Sequence, residues 1–421
     1  MHSDAQPVRA GRARAVSVEV ICLAGLALAL PLYEAPKNIL CALYVVIWVV
    51  NRLRLGDAGG RWRGWDTLFL IWIGSGFAVA AGAALDGSQW EGALDPVRYG
   101  AVMWCASRAG YRRDQWLWVL GALGASCLIG LIWGYRDLAS GHRVWLELHS
   151  VGHVNHSAIY LAIITCGALG LLAAYWGRLA PAWRLTGLAS CALLAGSLIV
   201  MASRGAFGAA AMTAILLAAG WWRRSRAMAL VLAIGVGLVG AATVLMRSPV
   251  AEKNRVTVEA VGVLSQRDGI WRVAWNEWLR HPVFGVGMDN YSRITRAHFE
   301  AESQARGEQF PEGSLIYYPH AHSLLLNTLA ERGLAGSLPL AAVLLAWAWS
   351  LLRGLPRAEA APIEWTAWAC ALSALGISVI AGAANTTLHH EHAILATLML
   401  GFWLDVRRRR QQGPGTVPKA A

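Results

Sequence analysis

Three short clusters in this chain have residue types suited to holding an anion and activating a hydroxyl. The first is Ser203-Arg204-Gly205, just before an apolar run. Arg204 there stands at a helix start, where exposed N–H groups and a guanidinium converge on an anion such as a phosphate. An interfacial Arg that snorkels to lipid headgroups gives the same pattern. The second runs from Ser265 through Gln266, Arg267, Asp268, Gly269, Ile270, Trp271 and Arg272, and is followed by His281-Pro282-Val283-Phe284-Gly285-Val286-Gly287. Arg267 and Arg272 are two further cations, and the Pro and Gly residues end one helix and turn the chain. A solvated surface helix, with Arg267 and Asp268 as ordinary surface charges, is the reading physics alone somewhat favours. Gly285-Val286-Gly287 has no preceding strand and so does not read as a nucleotide motif. The third is Pro319-His320-Ala321-His322-Ser323, before the apolar helix Leu324 to Leu334. Imidazole titrates near neutral pH and can serve as a general base. A His-x-His pair without a nearby carboxylate is a weak metal signal.

Two more histidine groups need weighing. His149, His153 and His156 are spaced to share one helix face, and His389, His390 and His392 surround Glu391. Both sit at expected outer ends of apolar spans, where a wet His needs no ligand, so no metal site is expected at either. Asn155 in the first group has the donors and acceptor to bond a sugar or a phosphate.

The elements that must position these residues are membrane helices. Of 421 residues, 56% are hydrophobic and only 15% charged; a soluble domain carries about 25% charged residues. Many of the 22 Trp sit at the ends of apolar runs, where the ring is buried and its N–H stays wet. A span needs roughly 20 apolar residues. Twelve segments qualify or nearly do: 16–33, 38–52, 66–84, 95–108, 115–134, 153–175, 185–202, 206–222, 227–246, 334–353, 363–384 and 389–406. The first follows Arg9, Arg12 and Arg14 and resembles a signal peptide. Its length and the spans behind it favour an uncleaved first helix.

The net charge of +12 is dispersed in short clusters between spans rather than gathered in a stripe. That suits topology and anionic-lipid contact, not nucleic acid. Numbered alternately from an inner N-terminus, the inner loops hold Arg52, Arg54, Arg61 and Arg63; Arg108, Arg112 and Arg113; Arg178 and Arg184; Arg223, Arg224 and Arg226; Arg353 and Arg357; and the tail Arg407 to Arg410. Short outer loops hold only Lys37, Arg136, Arg143 and Arg204. This positive-inside pattern puts both termini in the cytoplasm. Residues 1–246 then hold helices one to nine, 247–333 an outer loop domain of short helices, 334–406 helices ten to twelve, and 407–421 a basic cytoplasmic tail, with 410–421 disordered. Within the loop, Ile270, Val273, Ala274 and Trp278 give Gly269 to Leu279 a helical period. The seven Cys fall in or beside apolar runs and read as small buried hydrophobes. No internal repeat is visible.

At these residues the chain resembles the O-antigen ligase and polymerase superfamily of bacterial envelope glycosyltransferases. Ser203-Arg204-Gly205 is similar to that family's short Arg motif at a periplasmic helix end. Arg267, followed by Trp271, Pro282 and Gly285, is similar to its second Arg motif. His322-Ser323, nine residues, then Gly333 and Gly336, is similar to the pattern that marks ligases, although Ser323 stands where the family often has Asn. The resemblance implies an all-α, GT-C-like polytopic fold of about 12 transmembrane helices with a large helical periplasmic loop, in the bacterial inner membrane. It further implies transfer of a glycan from undecaprenyl pyrophosphate to a sugar hydroxyl of the lipid A core oligosaccharide, inverting, metal-independent and without a cofactor. On this reading His322 is the base and Arg204 and Arg267 hold the pyrophosphate, with Arg272, His320, Asn155 and Ser323 as secondary candidates. An O-antigen polymerase or a protein O-oligosaccharyltransferase would differ only in acceptor. A lipid or solute transporter would instead carry repeats and ionisable residues in mid-span, whereas Glu19 and Arg98 lie towards span ends.

Overall fold

The computed structural model describes residues 18–245, 249–261, 264, 266–308 and 315–412. Arg9, Arg12 and Arg14, Ser265 and the tail 413–421 lie outside the described residues. What is described is all helical. In chain order the helices are α1 Val18–Ala29, α2 Glu34–Leu55, α3 Gly64–Gly82, α4 Gln89–Gly92, α5 Leu94–Ser107, α6 Arg113–Ala139, α7 Val154–Tyr175, α8 Pro181–Val200, α9 Arg204–Trp221, α10 Arg226–Leu245, α11 Pro249–Val261, α12 Arg267–Arg280, α13 Arg296–Arg306, α14 Leu324–Gly354, α15 Pro362–Gly382 and α16 His390–Gln412.

Among the described residues nine helices are long and apolar enough to cross a membrane: α2, α3, α6, α7, α8, α9, α10, α14 and α15. The chain is a polytopic helical membrane protein. The three other expected spans coincide with α1, α5 and α16. α1 and α5 are short, and α16 ends in the run Arg407 to Arg410, which is helical as far as Gln412. The expectation of disorder from 410 onward is therefore corrected for residues 410–412.

α7 and α15 lie at the centre, while α10 is almost entirely exposed at the edge. Small residues let the central pair approach: a Cβ on Gly170 of α7 would run into Ala369 of α15, and one on Gly167 would touch Cys370 Sγ at 3.5 Å. In lipid, dispersion contacts between close backbones replace the hydrophobic drive that helices feel in water. All seven Cys are free thiols, six of them buried.

The bundle has two chemically different ends. At one, Arg108 bridges to Asp66 at 2.7 Å and donates to the carbonyls of Ala58 and Gly60, tying the α2–α3 turn to α5. Arg52 pairs with the buried Glu19, and Arg63 donates to Gln411. Guanidinium groups lie over aromatic rings here, as Arg353 over Trp349 and Arg184 over Trp176. At the other end one buried ion pair, Lys37 with Glu391, joins α2 to α16, and Ser150 Oγ donates to the same carboxylate at 3.2 Å. Lys37 thus lies buried in the first turn of α2 rather than in an open loop. The second end also carries α11, α12, α13 and the segments 281–295 and 315–323.

α14 is where that polar domain enters the bundle. It breaks at Gly333, whose φ of 51° and ψ of −157° suit glycine alone. The break leaves backbone groups without helical partners, and the segment 282–287 supplies them. Leu334 and Ala335 N–H donate to the carbonyls of Pro282 and Val283, both at 2.8 Å; Val286 and Gly287 N–H donate to Ala330 and Glu331, both at 2.9 Å. On its other side the segment pairs through Gly285 and Val286 carbonyls with Ala84 and Leu85 N–H. Asn290 closes the joint, donating to Leu85 and Val286 carbonyls and accepting from Ser88 N–H. The glycines of His281 to Gly287 therefore serve close backbone approach: a Cβ on Gly285 would stand 2.5 Å from the Ala330 carbonyl.

A cationic and histidine-rich candidate site

Arg204 begins α9 after the N-cap Ser203, itself preceded by Ala202 in the left-handed region at φ 52°. That turn buries Ser203, whose Oγ donates to Asn155 Oδ1 at 2.9 Å. Gly205 packs on the Asn385 amide, which a Cβ would meet at 2.6 Å. The starts of α7 and α9 and the α15–α16 turn are thus joined through two asparagines. Asn155 N–H also donates to Nδ1 of His153, the residue that caps α7.

Arg267 begins α12, after Gln266 at φ 62°. It lies within Coulombic reach of both Arg204 and His322. Burial, and then the charge of Arg204, pull its pKa down, and its Nε is buried with no hydrogen-bond partner. A third cation, Lys253 of α11, is depressed by burial and then by Arg204 and Arg267. Its Nζ sits 4.6 Å from the Trp145 ring centroid. The charges of Arg204, Arg267 and Lys253 act on one another, and an anion added to this field is stabilised. Arg272 is five residues along α12 from Arg267, roughly 140° round the helix, and is exposed.

His322 stands before α14 with φ 48°. Burial, then His320 and Arg267, drive its pKa down to about 3, so at neutral pH the ring is uncharged. Burial thus ranks ahead of the arginine charge as the reason for its neutrality. Its ring lies 4.3 Å from His320 and 4.8 Å from Tyr318. His320 is itself lowered by burial and then by His153. Ser323 has a structural task, since its Oγ caps α14 by accepting from Leu326 N–H.

The histidine groups that are separate in sequence converge. His156 lies 6.3 Å from His320, 6.0 Å from His389 and 5.3 Å from His392, ring to ring. Nδ1 of His156 and of His389, and both nitrogens of His392, are buried without hydrogen-bond partners. Burial and neighbouring imidazoles hold His389 far below its ordinary pKa. These rings make a wall whose buried nitrogens keep unused hydrogen-bonding capacity. His149 does not join them. α7 starts only at Val154, and His149 packs instead against Tyr33 and Trp133. The shared helix face expected for His149, His153 and His156 is therefore corrected, because residues 149–153 are not helical. Glu391, flanked by three of the histidines in sequence, is taken up by Lys37.

Beside this wall is a narrow cavity of about 30 Å³, lined in part by Asp289, Asn327, Arg332, Thr386 and His389. Sequence reasoning missed Lys253, Asn385 and the union of the histidine groups. Only the long polar loop, with basic residues on a short helix, hinted at the first.

Residues 189–341 match the family described as O-antigen ligase. No curated protein matches the chain.

Proposed function

We propose that the chain, whose residues 189–341 match the O-antigen ligase family, moves a glycan from undecaprenyl pyrophosphate to a sugar hydroxyl of the lipid A core, on the periplasmic face of the inner membrane. The observation that carries this reading is the position of Arg267, within Coulombic reach of both Arg204 and His322. One guanidinium thereby links an anion subsite to an uncharged imidazole.

The chemistry follows from that juxtaposition. The acceptor oxygen forms a bond to the anomeric carbon as the bond from that carbon to the pyrophosphate oxygen breaks. Negative charge accumulates on the departing phosphate, where Arg204, Arg267 and Lys253 stabilise it more strongly than in the ground state. The hydroxyl proton passes to a ring nitrogen of His322. A pKa near 3 makes His322 a poor base towards a free alcohol. It becomes an adequate one late in the reaction, when C–O bond formation has made that proton strongly acidic. A bound pyrophosphate also offsets the Arg267 charge and raises the basicity of the ring. Displacement from the opposite face inverts the anomeric configuration. All charge compensation comes from side chains, so this reading requires no metal in catalysis.

The test is glycan transfer in purified membranes containing a chelator, with lipid-linked donor and lipid A core, comparing wild type with His322→Ala and Arg267→Ala. Loss of product at normal protein level supports the assignment. Full transfer by His322→Ala refutes the base. A wild type that elongates the donor glycan, or loads a protein but not lipid A core, would move the acceptor to a polymerase or protein-glycosylation reaction.

A further inference from the structure

A second constellation lies away from this site, where α12 ends against α13. Glu277 lies in the last turn of α12 and His281 caps its end, its N–H donating to the Glu277 carbonyl, while His298 and Glu302 are four apart on one face of α13. The two pairs oppose one another. His281 Nε2 is 2.8 Å from Glu302 Oε1 and 3.7 Å from Glu277 Oε1; His298 Nε2 is 3.1 Å from Glu277 Oε1 and 3.9 Å from Glu302 Oε2. The donor atoms of Glu277, His281 and Glu302 all lie within 4.8 Å of one another. Donors bound tetrahedrally to zinc at about 2.05 Å stand about 3.3 Å apart; the contacts of 2.8, 3.1 and 3.7 Å bracket that value, and Glu302 turns its second oxygen towards His298.

We propose that Glu277, His281, His298 and Glu302 bind one divalent transition-metal ion, of which zinc is the best fit, and that it clasps α12 to α13. Two further observations carry the assignment. Glu277 is fully buried, and its Oε2 has no hydrogen-bond partner, a state that calls for an additional cation. The charge is also suited to a cation. Glu277 and Glu302 contribute −2, and Arg280, which reaches Glu302 at 3.3 Å, contributes +1, so the ring with neutral imidazoles is left net negative. Imidazolium protons would offset the same charge, so protons and metal compete for one place. Glu277 is ten residues from Arg267, about 15 Å along α12. The ion is therefore structural: it anchors the far end of the helix whose first residue is Arg267.

The experiment uses full-length protein in detergent without a histidine tag, stripped with chelator and dialysed against zinc. The expected result is one tightly held zinc per chain, a higher unfolding temperature than for the stripped protein, and visible d–d bands of a four-coordinate site after cobalt loading. Glu277→Gln should lower zinc affinity by at least about tenfold. It keeps every histidine, so undiminished binding in this variant would assign the zinc to the other histidine cluster and overturn the proposal. Should Glu277→Gln fail to fold, the partly exposed Glu302→Gln serves the same purpose. Equal unfolding temperatures and background zinc in the wild type would also overturn it, leaving two proton-bridged His–Glu pairs.

Discussion

Replacing Gly333 by Ala tests the joint that connects the polar domain to the bundle. At φ 51° and ψ −157° an L-residue stores about 1–3 kcal/mol of backbone strain. The added Cβ would also fall on the carbonyl of Val283 and within 2.6 Å of Phe284 N. These are backbone atoms, so relief requires the segment 282–287 to move as a piece. That movement lengthens the Leu334 and Ala335 hydrogen bonds, now 2.8 Å, each worth about 1 kcal/mol. The sum is a loss of about 3–5 kcal/mol. Gly56→Ala is the control: φ is 59° there too, but no atom stands within 4 Å of the new Cβ, so only about 1 kcal/mol of left-handed strain is expected. Thermal unfolding in detergent, with limited proteolysis of residues 266–323, would rank the two. The joint positions the short helix that follows His322, so glycan transfer should fall in Gly333→Ala and survive in Gly56→Ala. Matching unfolding curves for the two variants would refute the reasoning.

Three other outcomes are expected. His322 has its folded pKa depressed from 6.5 to about 3, so the unfolded chain binds the proton more readily; stability is complete above about pH 6.5 and declines below it, by about 1.4 kcal/mol at pH 5.5, and His322→Gln should flatten that part of the pH–stability profile. Ser203→Ala removes the hydrogen bond to Asn155 and should cost about 0.5–1.5 kcal/mol, seen as a lower unfolding temperature alongside weaker donor binding in transfer kinetics. Lys37→Met strands Glu391 as a buried lone charge and should destabilise by about 3–5 kcal/mol, whereas adding Glu391→Gln should restore much of the loss, which a double-mutant cycle in thermal unfolding would reveal.

Much of the fold was legible because lipid leaves few choices. Apolar runs of the right length must be helices, and all twelve expected runs coincide with helices. Arg204, Arg267 and His322 could be singled out because each is a polar residue beside a helix start. Other features depended on contacts between distant segments. The approach of His156, His320 and His389 needs three loops to fold over one end of the bundle, and no spacing encodes that. The error at His149 arose from applying helical periodicity across Gly152, whose φ of 73° ends any helix before α7 begins. Ser323 read as a chemical group because a cap and a hydrogen-bonding site residue use the same hydroxyl. The Glu277–His298 pairs escaped notice because each half is an ordinary i,i+4 pair until the two helices meet.

The joint at Gly333 is made of main chain. Its bonds run from N–H to carbonyl on both sides of the segment 282–287, so they are indifferent to most side chains there; Val283, half exposed at 52%, could be exchanged freely. The glycines, Asn290, the fully buried Val286 and Phe284, which packs on Gly82, are held to type. Such a seam works as a standard fitting: the membrane bundle can stay as it is while the residues that project from the polar domain are changed.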